Sequence, residues 1–282
     1  MSYRRIPEPK LVPVPNPNII PERDVDKAPI LECRHLGIDF GGLTAVGDFN
    51  MAIGRTEIAG LIGPNGAGKT TVFNLLTKVY QPTRGTILMD GRDTAGMNTI
   101  QVNRAGIART FQNIRLFKSL TVLDNVLIGM QGGMQYNLGS AILRLPSYWK
   151  EERSARARAL ELLSIFDMQN LADHEAGSLP YGAQRRLEIV RALATHPKLL
   201  LLDEPAAGMN PQETEELGDF IREIKEKFQL TVFMIEHHMN LVMGISDRIY
   251  VIDFGSLIAE GTPSEVRDNP AVIAAYLGVD EE

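Results

Sequence analysis

The stretch GPNGAGKT, residues 63–70, has the spacing G-x-x-x-x-G-K-[S/T] between a short apolar run and a run with helical spacing. Glycines let successive backbone N–H groups curl around a phosphate, and the N-terminus of the following helix adds a favourable dipole. The spacing therefore predicts a phosphate-binding loop in which Lys69 reaches the β- and γ-phosphates and the Thr70 hydroxyl binds Mg²⁺. The predicted nucleotide-binding residues here are Gly63, Pro64, Asn65, Gly66, Ala67, Gly68, Lys69, Thr70 and Thr71.

A second candidate is the run KLLLLDEP, residues 198–205, an apolar strand that ends in two carboxylates. The carboxyl ends of strands face the ligand crevice in open α/β sheets. Asp203 at that end is expected to hold Mg²⁺, directly or through water, and Glu204 to act as the general base that polarises an attacking water. Taken alone, two acids at this place could also cap a following helix.

Two further polar sites carry weaker signals. The apolar run TVFMI is followed by Glu236, His237 and His238, and a neutral imidazole at a strand end can contact a γ-phosphate. Gln112, within RTFQNIRLF, can bridge Mg²⁺ and an attacking water through its amide oxygen. For both, a structural or exposed side chain is the alternative, and either histidine could be the functional one.

These candidates require particular elements to position them. The runs IAGLI, LLLLD and TVFMI are continuously apolar, as in parallel strands covered on both faces, and helical patterns separate them. This alternation predicts an α/β domain with a parallel sheet. An earlier run, LECRHLGIDFGG, alternates apolar and polar residues and turns at two glycines, a hairpin signal.

Composition divides the chain further. Residues 1–29 hold seven of its 16 prolines and predict an extended tail, either solvated or docked on a partner. Residues 30–282 form the predicted α/β domain, with a C-terminal extension at about 262–282. Within it, about 104–191 predict an inserted helical subdomain with 12 Arg+Lys against 8 Asp+Glu, whereas the whole chain has a net charge of −6.

Bulk properties exclude several classes of protein. The negative charge argues against nucleic acid as a partner. A single cysteine, Cys33, rules out a disulfide within the chain and a cysteine-rich metal site. No apolar run approaches the roughly 20 residues of a membrane-spanning helix.

In this order, the motifs resemble those of the ATP-binding subunits of ABC transporters over about residues 30–282. The resemblance implies a P-loop NTPase core with a mostly parallel sheet, an N-terminal antiparallel β subdomain and the inserted helical subdomain. It also implies that Gln112 is the Q-loop glutamine, that His237 is the switch histidine and that Phe40 stacks on adenine. The run AGMNP, 207–211, matches the D-loop, with Asn210 where Asp is commoner.

The run LPYGAQ, 179–184, takes the place of the family's L-S-G-G-Q signature. It implies a helix whose N-terminus points at the γ-phosphate bound by another subunit. Pro180 is predicted at the first helical position, where its missing N–H costs nothing, but it also lacks the hydroxyl of the usual Ser. We therefore expect this segment to bind the γ-phosphate less tightly than a signature that carries serine. The residues expected to act in trans are Ser178, Tyr181, Gly182 and Gln184.

Longer runs, among them YGAQRRLEIVRAL and the terminal NPAVIAAYLG, closely resemble the ATPase component of branched-chain amino acid importers. That likeness implies a peripheral subunit at the cytoplasmic face of the inner membrane, in which two ATPase subunits, alike or different, sandwich two ATP molecules with Mg²⁺. Its partners would be two integral membrane permeases and, indirectly, a periplasmic solute-binding protein. The basic insert, with Ile114, Leu116 and Phe117 beside Gln112, would then present a groove to a permease helix, unless it is merely a solvated face.

Other functions remain open at this point. A urea or amide importer and a lipopolysaccharide exporter have similar ATPases, although the NPAVIAAYLG ending favours the amino acid importer. A soluble ABC-type ATPase usually carries two ATPase domains, zinc-binding cysteines or long coiled coils, whereas this chain has one phosphate loop and one cysteine. A GTPase or small-molecule kinase would leave the signature run unexplained, and the chain has no N-K-x-D guanine reader.

Overall fold

A computed structural model describes residues 29–133 and 146–277. The predicted proline-rich tail lies outside the described residues except for Pro29, and so do the last five residues of the C-terminal extension. In the described part, no helix is both long enough and apolar enough to cross a membrane.

An antiparallel sheet begins the fold. Its strands, in the spatial order β2-β1-β4-β5, are β1 (Leu31–Phe40), β2 (Leu43–Ile53), β4 (Arg84–Met89) and β5 (Arg92–Asp93). β1 and β2 form the predicted hairpin through Gly41 and Gly42, whose φ angles of 52° and 93° favour glycine. Alternating burial along β2 explains the alternating sequence, because one face packs on the core and the other is exposed.

A six-stranded sheet carries the site. Its strands, in the spatial order β10-β9-β3-β8-β7-β6, are β3 (Ile58–Ile62), β6 (Ile107–Arg109), β7 (Leu199–Asp203), β8 (Thr231–Ile235), β9 (Arg248–Asp253) and β10 (Ser256–Gly261). All neighbouring pairs are parallel except β9 with β10. Every residue of β3, β7 and β8 is buried, as their continuous apolar runs predict. Because these strands are parallel and adjacent, their carboxyl ends meet at one edge of the sheet.

Nine α-helices complete the described part of the chain. They are α1 (Lys69–Leu76), α2 (Thr99–Ala105), α3 (Val122–Met130), α4 (Pro146–Ile165), α5 (Tyr181–Leu193), α6 (Pro211–Phe228), α7 (Met239–Ile245), α8 (Pro263–Arg267) and α9 (Pro270–Leu277). α3, α4 and α5 lie between β6 and β7 in sequence, and α3 packs on both of the others. β6 falls within residues 104–191 but pairs with β7 in the main sheet.

The main sheet separates two apolar cores. One lies between the main sheet, the antiparallel sheet and α1, where Phe73 packs on Phe233 with ring centroids 5.1 Å apart. The other covers the opposite face with helices α3 to α9, and it includes Leu217, Ile221 and Ile224 from the amphipathic α6. The pairing of β3 with β8, β8 with β7 and β7 with β6 determines which residues meet at the carboxyl edge.

Candidate functional site

The predicted phosphate loop connects β3 to α1 and depends on glycine for its shape. A Cβ on Gly63 would lie 2.0 Å from the backbone oxygen of Ile252 on β9. Gly68, with φ of 102°, precedes α1, and a Cβ there would lie 2.9 Å from the Ala45 oxygen. Side chains at these positions would push the loop off its neighbours, so the glycines allow close packing behind a surface lined by backbone N–H groups.

Lys69 is nearly buried at the first position of α1. Its Nζ donates hydrogen bonds to the backbone oxygens of Gly63 and Pro64, at 2.7 and 2.8 Å. Burial lowers the pKa of Lys69, and the negative charge of Glu204 partly opposes that shift. The ammonium group is therefore held against the loop. Along the rest of the loop, Asn65, Gly66 and Thr70 are exposed, Pro64, Gly68 and Thr71 are half-buried, and Ala67 is buried.

Glu204 lies immediately beyond β7 and joins two of the other predicted residues. Its Oε2 accepts a hydrogen bond of 2.5 Å from Gln112 Nε2, and its Oε1 is 3.0 Å from His237 Nε2. Its backbone N–H donates to the backbone oxygen of Ile235 at the end of β8, and its φ of 46° is unusual for a residue with a side chain. The structure thus brings Gln112, Glu204 and His237 into one hydrogen-bonded group.

The two adjacent histidines have different surroundings. His238 Nδ1 lies 3.1 Å from Glu236 Oε2, and Glu236 is buried. The other oxygen of Glu236 accepts the Ala206 N–H at 2.7 Å, so this carboxylate organises the chain that follows Glu204. His237 therefore faces the proposed general base, whereas His238 contacts a structural carboxylate.

Asp203 has a partner that sequence reasoning missed. Its Oδ2 accepts a 2.6 Å hydrogen bond from Arg109 Nη2, and the side chains of both residues are 7% exposed. Arg109 ends β6, 94 positions earlier, and no local pattern could have linked the two residues. The missing information was the adjacency of β6 and β7 in the sheet.

Phe40, the predicted adenine contact, ends β1 and is 41% exposed. Tyr80, which sequence reasoning did not select, packs against it edge to face with ring centroids 5.2 Å apart. Phe40 is thus held by another exposed aromatic side chain.

The signature segment begins α5, but Pro180 is not its first residue. Pro180 occupies the cap position with an extended ψ of 152°, and the helix begins at Tyr181. The expectation of Pro180 at the first helical position was wrong by one residue, because its ψ is not helical. The missing N–H still costs the helix nothing, since the cap N–H also lies outside the helical ladder.

The other signature residues make local contacts. Ser178 Oγ donates to Glu175 O at 2.7 Å, and Gln184 Nε2 donates to Leu179 O at 2.8 Å. Tyr181 OH donates to Ala207 O at 2.9 Å, which links this helix to the predicted D-loop. Gly182 has open space around its missing side chain, with Glu213 Oε1 the nearest atom at 3.8 Å from a built Cβ.

Asn210 in the D-loop has a role within its own chain. It caps α6 by accepting the Glu213 N–H at 2.9 Å, and the Glu213 side chain accepts the Asn210 N–H in return. An asparagine fulfils this role as well as an aspartate does.

A buried ion pair on α5 holds the segment around Gln112. Arg185 is fully buried, pairs with Glu188 at 2.8 Å, and donates to the backbone oxygens of Phe111 and Gln112 at 2.7 Å each. Glu188 also accepts the Arg115 N–H at 3.0 Å. The i,i+3 spacing of Arg185 and Glu188 was visible in the sequence, but their burial was not.

The side chains at this edge fit magnesium and a nucleotide. Asp203 and Gln112 offer carboxylate and amide oxygens and Thr70 a hydroxyl, and Mg²⁺ prefers oxygen ligands. Within the described residues, no three His, Cys, Asp or Glu side chains cluster as a metal site would need. Mg²⁺ is usually held by one or two carboxylates together with substrate phosphates.

Comparison with known proteins points the same way. The family model described as ABC transporter matches residues 46–207, and the model described as branched-chain amino acid ATP-binding cassette transporter matches residues 256–282. The chain is 48% identical over 250 residues to the high-affinity branched-chain amino acid transport ATP-binding protein LivG of Escherichia coli K12. That match covers 89% of this chain and 98% of the relative. BraF of Pseudomonas aeruginosa, described in the same words, is 46% identical with the same coverage.

Solved structures have the same architecture. A nucleotide-free ATP-binding cassette from an ABC transporter superimposes with a TM-score of 0.77 at 30% identity, over 89% of this chain and 99% of that one. A cassette in its ADP conformation gives 0.78 at 31% identity, over 89% and 100%. The predicted fold class is therefore confirmed. Because the chain has the phosphate loop and matches these proteins over most of its length, it belongs to the ABC transporter family, as an ATP-binding cassette with ATPase activity.

Proposed function

We propose that this cassette hydrolyses ATP to power the uptake of branched-chain or other hydrophobic amino acids. The choice of solute rests on the similarity of the chain to LivG and BraF. It is supported by the match of residues 256–282 to the family model of branched-chain amino acid cassettes. Direction and solute class follow from those relatives by analogy. The same match favours an amino acid importer over a lipopolysaccharide exporter or a urea importer.

In the proposed reaction, Glu204 orients and polarises the attacking water. It is well placed for this, because Gln112 and His237 each contact one of its oxygens and so fix the carboxylate. Lys69 binds the β- and γ-phosphates and stabilises the charge that develops there. To do so its ammonium must exchange part of its bonding to Gly63 and Pro64 for the substrate.

Asp203, Thr70 and Gln112 are the proposed residues for Mg²⁺, which would neutralise charge on the phosphates when bound. Phe40 is proposed to stack on adenine. Loop backbone N–H groups from Gly63 to Thr71 would surround the phosphates.

Two cassettes, alike or related, are proposed to sandwich two ATP molecules. Each phosphate loop would face the partner's signature segment, where the N-terminus of α5, Ser178, Tyr181, Gly182 and Gln184 would contact the γ-phosphate. After hydrolysis that bridge is lost and the faces separate, a switch of the kind that ligand phosphates drive.

The membrane partners are proposed to be two permease subunits, with a periplasmic solute-binding protein acting through them, so that the cassette lies on the cytoplasmic face of the inner membrane. Phe117 is 49% exposed next to half-buried Ile114 and Leu116, beside the Gln112 segment that α5 holds. A Phe117→Cys variant tests this surface. The only native cysteine, Cys33, is buried, so cross-linking to a permease should depend on the introduced thiol.

Glu204→Gln tests the ATPase assignment in the complex reconstituted with its permeases in liposomes. The amide keeps the shape but cannot accept a proton, so we expect ATP binding to persist and amino acid-stimulated hydrolysis to fall by roughly 100-fold or more. Glu226→Gln, at an exposed position of α6, is the matched control and should leave both unchanged. Wild-type turnover in Glu204→Gln would refute the assigned base. Stimulation by urea but not by leucine would refute the solute class.

A further inference from the structure

Arg109 contacts two parts of the proposed nucleotide site at once. Nη2 donates to Asp203 Oδ2 at 2.6 Å, while Nη1 donates to Asn74 Oδ1 at 2.8 Å and to Thr77 Oγ1 at 3.2 Å. Asn74 lies in α1, the helix that begins at Lys69, and Thr77 caps its end. The guanidinium therefore links the carboxylate at the end of β7 to the helix of the phosphate loop.

Aromatic rings complete the surroundings of this guanidinium. Its central carbon lies 5.6 Å from the centroid of Phe73 and 5.1 Å from that of Phe111. Both rings shield the ion pair from water, and electrostatic interactions are stronger where water is excluded. The charge of Arg109 therefore interacts strongly with the carboxylate of Asp203.

Stability alone does not account for this pair. Buried ion pairs are often no more stabilising than apolar side chains of the same volume, because both charges lose their hydration. Arg109 Nε, moreover, is buried without a hydrogen-bond acceptor among the described residues, which is itself unfavourable. The Arg109–Asp203 pair is therefore poorly suited to stabilising the core, but it is well suited to controlling the charge of the Asp203 carboxylate.

We propose that Arg109 is a positioning residue that limits how tightly Asp203 holds the magnesium nucleotide. This inference rests on the proposed function, in which Asp203 serves Mg²⁺. Arg109 occupies one carboxylate oxygen and offsets the carboxylate's charge, so the attraction of Asp203 for a dication is weakened. A moderate hold favours release of the magnesium-bound product after each turnover.

The sign of the expected effect separates this role from a structural one. Damage to the fold would weaken ADP binding, whereas removal of the Arg109 cation, which competes for Asp203, should strengthen the contribution of Mg²⁺ to ADP binding. The measurement is the affinity of the full chain for ADP, with and without Mg²⁺, by titration calorimetry. The ratio of the ADP affinity with Mg²⁺ to the ADP affinity without it, here called the Mg²⁺ enhancement, is compared between variants.

In Arg109→Met, we expect the Mg²⁺ enhancement to rise by about fivefold or more, with ADP affinity in the absence of Mg²⁺ nearly unchanged. Arg109→Lys keeps the charge and should return the enhancement to within about twofold of wild type. Arg115→Met is the matched control. Arg115 stacks on the same Phe111 ring, 3.9 Å from its centroid, but is exposed and makes no hydrogen bond to Asp203.

Combining Arg109→Met with Asp203→Asn should abolish the gain, because no carboxylate is left to be freed. Should Arg109→Met fail to fold, Arg109→Gln removes the charge while its amide can still donate to Asp203, and the same rise is expected. An enhancement that is unchanged or reduced in a folded neutral variant would overturn the inference. If instead Asp203→Asn alone leaves the enhancement at its wild-type value, it is the proposed Mg²⁺ site that fails.

Discussion

His237 Nε2 lies 3.0 Å from Glu204 Oε1, across the ends of the neighbouring strands β8 and β7. The other oxygen of Glu204 is taken by Gln112, so the carboxylate is oriented from two sides. Such preorganisation matters because a group that must reorient during the reaction loses part of its catalytic advantage. The pairing also distinguishes two histidines that are equivalent in the sequence.

His237→Ala should therefore lower ATP hydrolysis on the order of 10- to 100-fold, with little change in ATP binding, because one contact that fixes the proposed base is lost. His238→Ala is the internal control. It contacts Glu236, whose other oxygen already holds the Ala206 N–H, and we expect turnover within about threefold of wild type. Steady-state ATPase assays of both variants decide the matter, and the reverse order of effects would assign the role to His238.

The aromatic pair Phe40–Tyr80 allows a second prediction. Stacking of a base on an aromatic ring contributes about 1–3 kcal/mol. Phe40→Ala should weaken ATP binding by about tenfold. Tyr80→Ala should weaken it less, roughly two- to fivefold, because Tyr80 acts only by holding Phe40.

Fluorescent-nucleotide titrations measure both effects. Leu43→Ala, at a 70% exposed position of the same hairpin, is the control and should bind as wild type does. A Tyr80→Ala loss equal to that of Phe40→Ala would mean that Tyr80 itself contacts the base.

The sequence predicted those parts of the site that depend on local pattern. The phosphate loop, the buried strands and the residues at their carboxyl ends all follow from residue spacing within a few positions of one another. Strand adjacency then brought Gln112, Glu204 and His237 together, as expected for candidates at one edge of a parallel sheet.

What the sequence did not predict depends on contacts between distant segments. Arg109 and Asp203 are 94 positions apart and meet only because β6 lies beside β7. Tyr80 meets Phe40 through the packing of the antiparallel sheet on the loop after α1. The position of Pro180 was missed by one residue because helix ends are the least determined part of a periodic pattern.

The place of Pro180 sharpens the test of the signature segment. Serine is a good residue at a helix cap, where its hydroxyl accepts a backbone N–H and contributes about 1 kcal/mol. Pro180→Ser should therefore stabilise α5 and, by adding a hydroxyl for the γ-phosphate, strengthen ATP-driven pairing of cassettes about threefold or more.

Sedimentation of Glu204→Gln cassettes with ATP measures the pairing, and thermal unfolding without nucleotide measures the effect of the cap alone. Pro263→Ser, at the start of α8 and outside the predicted site, is the control. Unchanged pairing in Pro180→Ser would contradict the expectation that proline weakens this half-site.

Asp90 provides a prediction about pH. It lies in the turn between β4 and β5, where its carboxylate bonds to Lys198 and Arg55. Those hydrogen bonds, first that of Lys198, lower the pKa of Asp90 to about 2 from the usual 3.8. A pKa that is lower in the folded state means that the ionised carboxylate adds stability above the unfolded pKa, and that this contribution is lost as the pH falls from about 4 towards 2.

Asp90→Asn should then reduce the free energy of unfolding by about 1 kcal/mol between pH 5 and 7, a value kept small because Lys198 is largely exposed. Asparagine tolerates the left-handed conformation of this residue, whose φ is 52°, so the turn itself should survive. Urea unfolding at several pH values checks this, and the difference from wild type should shrink below pH 4. A difference that persists at low pH would point to the turn rather than to the ion pairs, and Lys198→Met should then fail to reproduce it.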